Sequence, residues 1–255
     1  MTILELYHFL DARYPRSLSC EWDNDGLMCC PDPNKPVTKV LLTLDVTEKA
    51  ITAAEQHGAE LMISHHPLVF KPIRGLHPFT PEGAKLLRLA EKGISVFSFH
   101  TRLDAAADGV GQCLAKTLGL TEITSFSVEN QPMGRVGKLP APLSPEETAA
   151  FLKKALHAPE ITFVGGGKEI GTLAVLGGSG SDGVDAAIEA GADGYVTGDM
   201  GYNAMLTAAE KGLTVFRCGH FETENPVLEA LERALRAADP SIEIHRFFSR
   251  TVETV

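Results

Sequence analysis

The stretch GAELMISHH, residues 58–66, gains its meaning when set beside GADGYVTGD, residues 191–199: in each, a small-residue turn leads into an apolar strand that ends in polar side chains. A second pair follows in the same order, AEKGISVFSFHT at 90–101 and AEKGLTVFRCGH at 209–220. In both, glycine closes a helical pattern and an apolar run begins at once, the usual signal of a helix C-cap leading into a buried strand. One such match is a common local motif, whereas two matches in the same order point to an internal duplication. A further strand and helix precede each pair, VTKVLLTLD with VTEKAITAAEQHG in the first half and GTLAVLGG with SDGVDAAIEAG in the second. The short apolar strands LMIS, SVFSF, AVL and YVT, flanked by helical patterns, fit a parallel or mixed sheet covered on both faces. The expected fold class is therefore α/β and internally duplicated, with halves at 1–125 and 126–255. The less regular stretch 125–170 joins them, and within it SPEETAAFLKKALHAP reads as a helix capped by Ser144.

Composition narrows the function. The 255 residues suffice for one large or two small domains, and 44% hydrophobic with 22% charged residues is the balance of an ordinary globular protein. Thirty-three acidic against 23 basic side chains give a formal charge of -10, which argues against a nucleic-acid partner, since phosphate-backbone affinity needs clustered cations. No apolar run approaches the length of a membrane span, and the opening MTILELYHFLDARYP carries acidic residues where a signal peptide is basic and then greasy. A cytoplasmic protein with no membrane partner is expected. The cysteines, Cys20, Cys29, Cys30, Cys113 and Cys218, are odd in number and show no C-x-x-C spacing, so neither a disulfide framework nor a thiolate zinc site is indicated. Any metal must use imidazole and carboxylate.

In open α/β sheets the reactive groups gather beyond the carboxyl ends of the strands. Just past LMIS come His65 and His66, past SVFSF come His100, Arg102 and Asp104, and past TVFRC come His220 and Glu224. Four of the nine histidines thus stand at three strand ends with two carboxylates nearby. Neutral imidazoles with carboxylates are a donor set for Fe, Zn, Mn or Ni, and two anionic groups make a second divalent ion electrostatically tolerable. His65 and His66 are adjacent, so both reach one site only if the strand has ended and Pro67 has turned the chain. His220 and Glu224 are spaced i, i+4, but Asn225-Pro226 reads as the start of the next helix, which leaves the pair outside a helix and Glu224 just before a helix N-terminus. Asp45, three residues before Glu48, reads as a cap. Arg102 is a candidate for holding a substrate anion. Asp199, which takes the place of His66 in the second repeat, is a candidate for contacting a ligand. The Gly-rich loop GGSGSDG at 177–183 either receives an anion on its amides or forms a tight turn.

Six motifs recur in order along the chain: WDNDGL at 22–27, LTLDVT at 42–47, SHHP at 64–67, HTRLDAA at 100–106, TGDM at 197–200 and GHFETE at 219–224. In these the sequence resembles the dinuclear-metal-centre hexameric proteins, also labelled GTP cyclohydrolase 1 type 2 homologues. The resemblance implies two intertwined α/β domains with mixed sheets. It further implies two divalent metal ions per chain, held by His65, His66, Asp104, His220 and Glu224, with Glu224 bridging and His100 as an accessory contact. A toroidal homo-hexamer and a hydrolase acting on a small molecule such as a nucleotide are implied as well, with Glu224, His220 and Asp104 closest to the chemistry. A metal-dependent phosphoesterase and a non-catalytic metal-binding regulatory or assembly protein fit the same ligands. The sequence departs from the family pattern in placing Arg102 where asparagine is usual, in reading TGDMGYNAM where T-G-E followed by a histidine-bearing helix start is usual, and in carrying Glu222 at a variable position.

Overall fold

The computed structural model describes residues 1–165 and 167–248. In chain order the first elements are α1 (Ile3–Arg13), β1 (Gly26–Cys29), β2 (Lys39–Thr43), α2 (Glu48–His57) and β3 (Leu61–Ser64). There follow α3 (Pro81–Lys92), β4 (Ser95–Ser98), α4 (Thr101–Ala105), α5 (Val110–Thr117), β5 (Thr121–Val128), β6 (Gln131–Leu143) and α6 (Pro145–Ala155). The remainder comprises β7 (Thr162–Val164), β8 (Ile170–Ser179), α7 (Val184–Glu189), β9 (Gly194–Asp199), α8 (Tyr202–Glu210), β10 (Thr214–Arg217), α9 (His220–Glu224), α10 (Leu228–Ala238) and β11 (Glu243–Phe247).

The first compact unit is built from Met1–Leu103 and the segment beginning at Leu228. Its sheet runs β1-β4-β3-β2-β11, parallel throughout except for β1, which lies antiparallel on β4. Helix α2 starts where the Thr47 side chain accepts from the Ala50 amide and stops at Gly58, whose φ of 68° is the left-handed cap that suits glycine. Helix α3 repeats the device with Thr80 and Gly93. Their apolar sides, Ala50, Ile51, Ala54 and Leu89, pack on Leu41, Met62 and Val96 of the sheet. Alternation turns Val40, Leu42, Ile63 and Phe97 to the opposite face, where Tyr7 of α1 meets Phe97 edge-on and α10 buries Leu228, Leu231 and Leu235.

The second unit spans Asp104–Val227. Its sheet runs β5-β6-β8-β9-β10-β7, with a parallel centre, β8-β9-β10, and antiparallel flanks. Helices α5 and α6 cover one face through Leu114, Leu118, Leu152 and Leu156, against Leu173, Val175, Val196 and Phe216. Ser144 caps α6 in a full capping box with Glu147, as the sequence predicts.

The duplication is visible in the strand registers. Leu61 pairs with Ser95 in the first sheet and Gly194 with Thr214 in the second, the same offsets that align the two sequence repeats. Each unit therefore carries a parallel trio, β2-β3-β4 or β8-β9-β10, with an antiparallel strand beside the last member. The expected boundary at 125/126 is corrected: it falls inside β5, which pairs with β6 and belongs wholly to the second sheet. The C-terminal segment also returns to the first unit, where β11 pairs with β2 from Glu243↔Lys39 to Phe247↔Thr43. Beyond this common core the sheets differ, since β11 runs parallel to β2 where β6 runs antiparallel to β8.

Leu231 is fully buried on α10. Leu231→Ala should lower the stability of the first unit by about 2–5 kcal/mol. Hydrogen exchange should then quicken in β2, β3 and β4. Faster exchange confined to residues 104–227 would show that α10 does not belong to this unit.

Candidate metal centre

In the first unit three imidazoles converge at the carboxyl ends of β3 and β4. The His65 and His66 amides still bond to Thr43 and Leu44 carbonyls at 3.3 and 2.9 Å, which keeps both residues beside the end of β2. The Ser64 hydroxyl lies 2.8 Å from the His66 carbonyl and 2.8 Å from the Ser98 hydroxyl, pinning the two strand ends together. The rings of His65 and His66 come to rest 4.8 Å apart, and that of His100 lies 5.3 and 5.7 Å from them. One ring nitrogen of each falls in a cluster whose members lie within 4.8 Å of one another.

The hydrogen bonds decide which nitrogen that is. Nδ1 of His65 lies 3.0 Å from the Phe99 carbonyl, that of His66 is 2.9 Å from Asp45 Oδ1, and that of His100 is 2.9 Å from Asp23 Oδ1. A carbonyl or carboxylate only accepts, so each Nδ1 carries a proton, and in the neutral ring Nε2 is the nitrogen that presents a lone pair. Burial opposes ionisation of Asp23, but the hydrogen bond and charge of His100 and two hydrogen bonds from Thr101 outweigh it and hold its carboxyl down at about 2. Asp23 thus remains an acceptor throughout the range in which imidazoles titrate.

Beneath His100 lies a buried ionic clamp. Arg102 is wholly inaccessible; its Nε and Nη2 each donate to Asp25 at 2.9 Å, and its Nη1 donates to Asp11 and to the Tyr14 carbonyl. Asp25 also accepts from Arg16 and Ser19. The expectation that Arg102 holds a substrate anion is therefore corrected, because the side chain is buried and four of its five N–H groups are donated inside the protein. Its role is to fix the 20–26 loop against the start of α4, and thereby to place Asp23.

In the second unit His220 opens α9 and Glu224 closes it. The sequence expectation that the pair lies outside a helix is corrected: Asn225 is the C-cap of α9, Asn225–Val227 form a 3-10 turn, and α10 begins only at Leu228. The i, i+4 spacing places His220 Nε2 3.2 Å from Glu224 Oε1, while His220 Nδ1 is held by Asp199 Oδ2 at 2.8 Å. Glu224 is buried. Asp199 thus stands in the second repeat as a support for His220, at the position His66 occupies in the first. Asp104, half-buried on α4, is the first residue of the second unit. It does not cap α5, whose N-cap is Gly109.

The Gly-rich loop turns out to be a bed for Glu224. A Cβ on Gly178 would lie 2.3 Å from Glu224 Oε1, and one on Gly177 would lie 2.4 Å from Val110 Cγ1. The Gly178 amide donates to Thr223, that of Gly180 to the Asp199 carbonyl and that of Gly183 to the Gly180 carbonyl. These amides are committed internally, so the anion-binding alternative yields to the tight turn.

Two supporting residues escaped the sequence reading. Asp45 is not the cap of α2, a role taken by Thr47, but the partner of His66. Asp23 lies in the WDNDGL motif, but nothing local ties it to His100, 77 residues away.

Imidazole lone pairs in one cluster, and an imidazole–carboxylate pair in the other unit, suit a borderline divalent transition metal. The fold is α/β, its histidines and carboxylates are groups that could hold a metal ion, and comparison with known proteins gives the family. Residues 1–254 match Duf34/NIF3 (NGG1p interacting factor 3), and the chain belongs to that family. A GTP cyclohydrolase 1 type 2 homolog of Clostridium perfringens is 32% identical over 249 residues, 95% of each chain. A hypothetical protein of Staphylococcus aureus superposes with a TM-score of 0.90 at 26% identity, covering 100% of this chain and 99% of its own. Reduced HcgD from Methanocaldococcus jannaschii gives 0.82 at 29% identity, over 96% and 97% of the two chains.

Gly178→Ala should cost roughly 2 kcal/mol or more, from the clash with Glu224 together with a φ of 63° that disfavours any side chain. Urea denaturation measures it; wild-type stability would contradict the packing described.

Proposed function

We propose that the protein is a metal-dependent hydrolase whose centre takes two divalent ions of the Fe, Zn, Mn or Ni type. The residues that would hold them are His65, His66, Asp104, His220 and Glu224, Glu224 being the carboxylate both could share, with His100 beside them. The observation that carries this reading is the triad His65, His66 and His100, with donor atoms within 4.8 Å and each Nδ1 tied to an acceptor. Such outer hydrogen bonds fix ring orientation and raise ligand basicity, the usual support of a metal site. When bound, a pair of divalent cations supplies a water of lowered pKa and polarises the bond under attack.

The chain's own residues do the rest. Asp45, Asp23 and Asp199 orient the rings of His66, His100 and His220, and Gly177 and Gly178 leave the room Glu224 needs. Glu224, His220 and Asp104 stand closest to the reacting atoms. The substrate is a small molecule, a nucleotide or related heterocycle, in keeping with the labels of the relatives. A homo-hexamer is proposed with it, as the resemblance carried by the six sequence motifs implies. A cytoplasmic setting is part of the same reading; among the described residues no helix is long and apolar enough to cross a membrane.

Elemental analysis of protein purified without chelator should find about two transition-metal ions per chain. Glu224→Gln should lower metal content and turnover together. Fewer than one ion in folded wild-type protein, or unchanged content in the variant, would refute the assignment. Formate release from GTP is the expected activity; phosphate release from nucleotide monoesters would instead favour a phosphoesterase, and no product from either would favour the regulatory or assembly role.

A further inference from the structure

Beside the imidazole triad lies an aromatic corner that the metal ligands do not explain. The indole of Trp22 is 6.0 Å from the Phe70 ring and 6.2 Å from His100, and Phe70 is 6.1 Å from His100, with interplanar angles of 68°, 71° and 84°. His100 is mostly buried, but Trp22 is 55% and Phe70 47% exposed. Large aromatic rings left half in solvent at the rim of a polar cluster are uncommon unless something covers them.

The corner is also held in place. Trp22 sits between Cys20, whose amide donates to Thr101, and Asp23, which accepts from His100 and Thr101. On its other side Asn24 donates its side-chain amide to the Val69 carbonyl, the residue before Phe70. The two rings therefore stand on loops stapled to each other and to the His100 turn, so little ordering remains when a ligand arrives. The segment carrying Phe70 is basic as well: residues 61–81 contain Lys71 and Arg74 and no Asp or Glu, in a chain of net charge -10.

We infer that Trp22 and Phe70 form a stacking platform for a planar nitrogen heterocycle bearing an anionic substituent, and that they set its position over His100. The indole face suits the π-system of any base, the Phe70 ring, tilted 68° to the indole, can meet that base only at an edge, and Lys71 and Arg74 suit the anion. The inference deepens the hydrolase reading by assigning substrate-positioning residues to the same site, and rests on it for the chemistry, though not for the binding.

Trp22 is the single tryptophan, so its fluorescence reports on the platform directly. The as-purified chain is titrated with guanosine monophosphate, with ribose 5-phosphate and with inorganic phosphate. Saturable quenching by the nucleotide, absent with the two ring-free probes, is the expected result. Phe70→Leu should weaken the nucleotide roughly 5- to 100-fold. Its circular dichroism and metal content should remain those of the wild type. Equal quenching by ribose 5-phosphate, no quenching at all, or unchanged affinity in Phe70→Leu would overturn the platform. So would Trp22 emission that shifts with protein concentration and ignores the nucleotide, since a second copy would then be what covers the rings. Specific quenching in protein that holds no metal would leave the platform standing and refute the hydrolase reading; full metal content without quenching would do the reverse.

Discussion

The candidate centre depends on one kind of interaction, the hydrogen bond that fixes Nδ1 of each histidine. Without it an imidazole at a strand end rotates about χ2 and presents either nitrogen; with it, one tautomer and one ring plane remain. Phe99 supplies a backbone acceptor for His65, and Asp45, Asp23 and Asp199 supply carboxylates for His66, His100 and His220. Much of the surrounding architecture serves to hold these acceptors. The buried Arg102–Asp25 pair secures the loop that carries Asp23. Breaking such a pair on one side leaves an uncompensated buried charge, so the loop has few alternatives.

The duplicated parallel trio explains why the acceptors recur. In each unit a strand end delivers a residue at the same register, His66 after β3 and Asp199 in β9, and the next strand delivers His100 or His220. In the first unit the repeat position carries a ligand-type imidazole supported from β2 by Asp45. In the second it carries the supporting carboxylate itself. One scaffold thus presents donor and support in exchanged order; a five-residue helix follows β4 as another follows β10, and in the latter the i, i+4 spacing brings in Glu224.

Much of this was legible in the sequence. The strand–helix rhythm and the two matched repeats gave the fold class, because buried parallel strands and glycine caps are local signals. The histidines and Glu224 were legible because they sit at strand ends. The roles of Asp23 and Asp45 were not, although the two lie in the motifs WDNDGL and LTLDVT, since nothing local ties a carboxylate to a ring 77 or 21 residues away. Arg102 misled because its charge suggests a substrate, whereas its burial depends on Asp25 and Asp11, which only the fold brings near. Asn225-Pro226 misled because a 3-10 turn tolerates the same residues as a helix start. The unit boundary was missed because α10 and β11 lie outside the repeat.

Long-range proton–nitrogen correlation NMR of the imidazoles tests the central claim most directly. In metal-free protein near pH 8, His65, His66 and His100 should each show the Nδ1–H tautomer, with Nε2 unprotonated and shifting when zinc is added. Nε2–H tautomers, or rapid averaging between the two forms, would contradict the account.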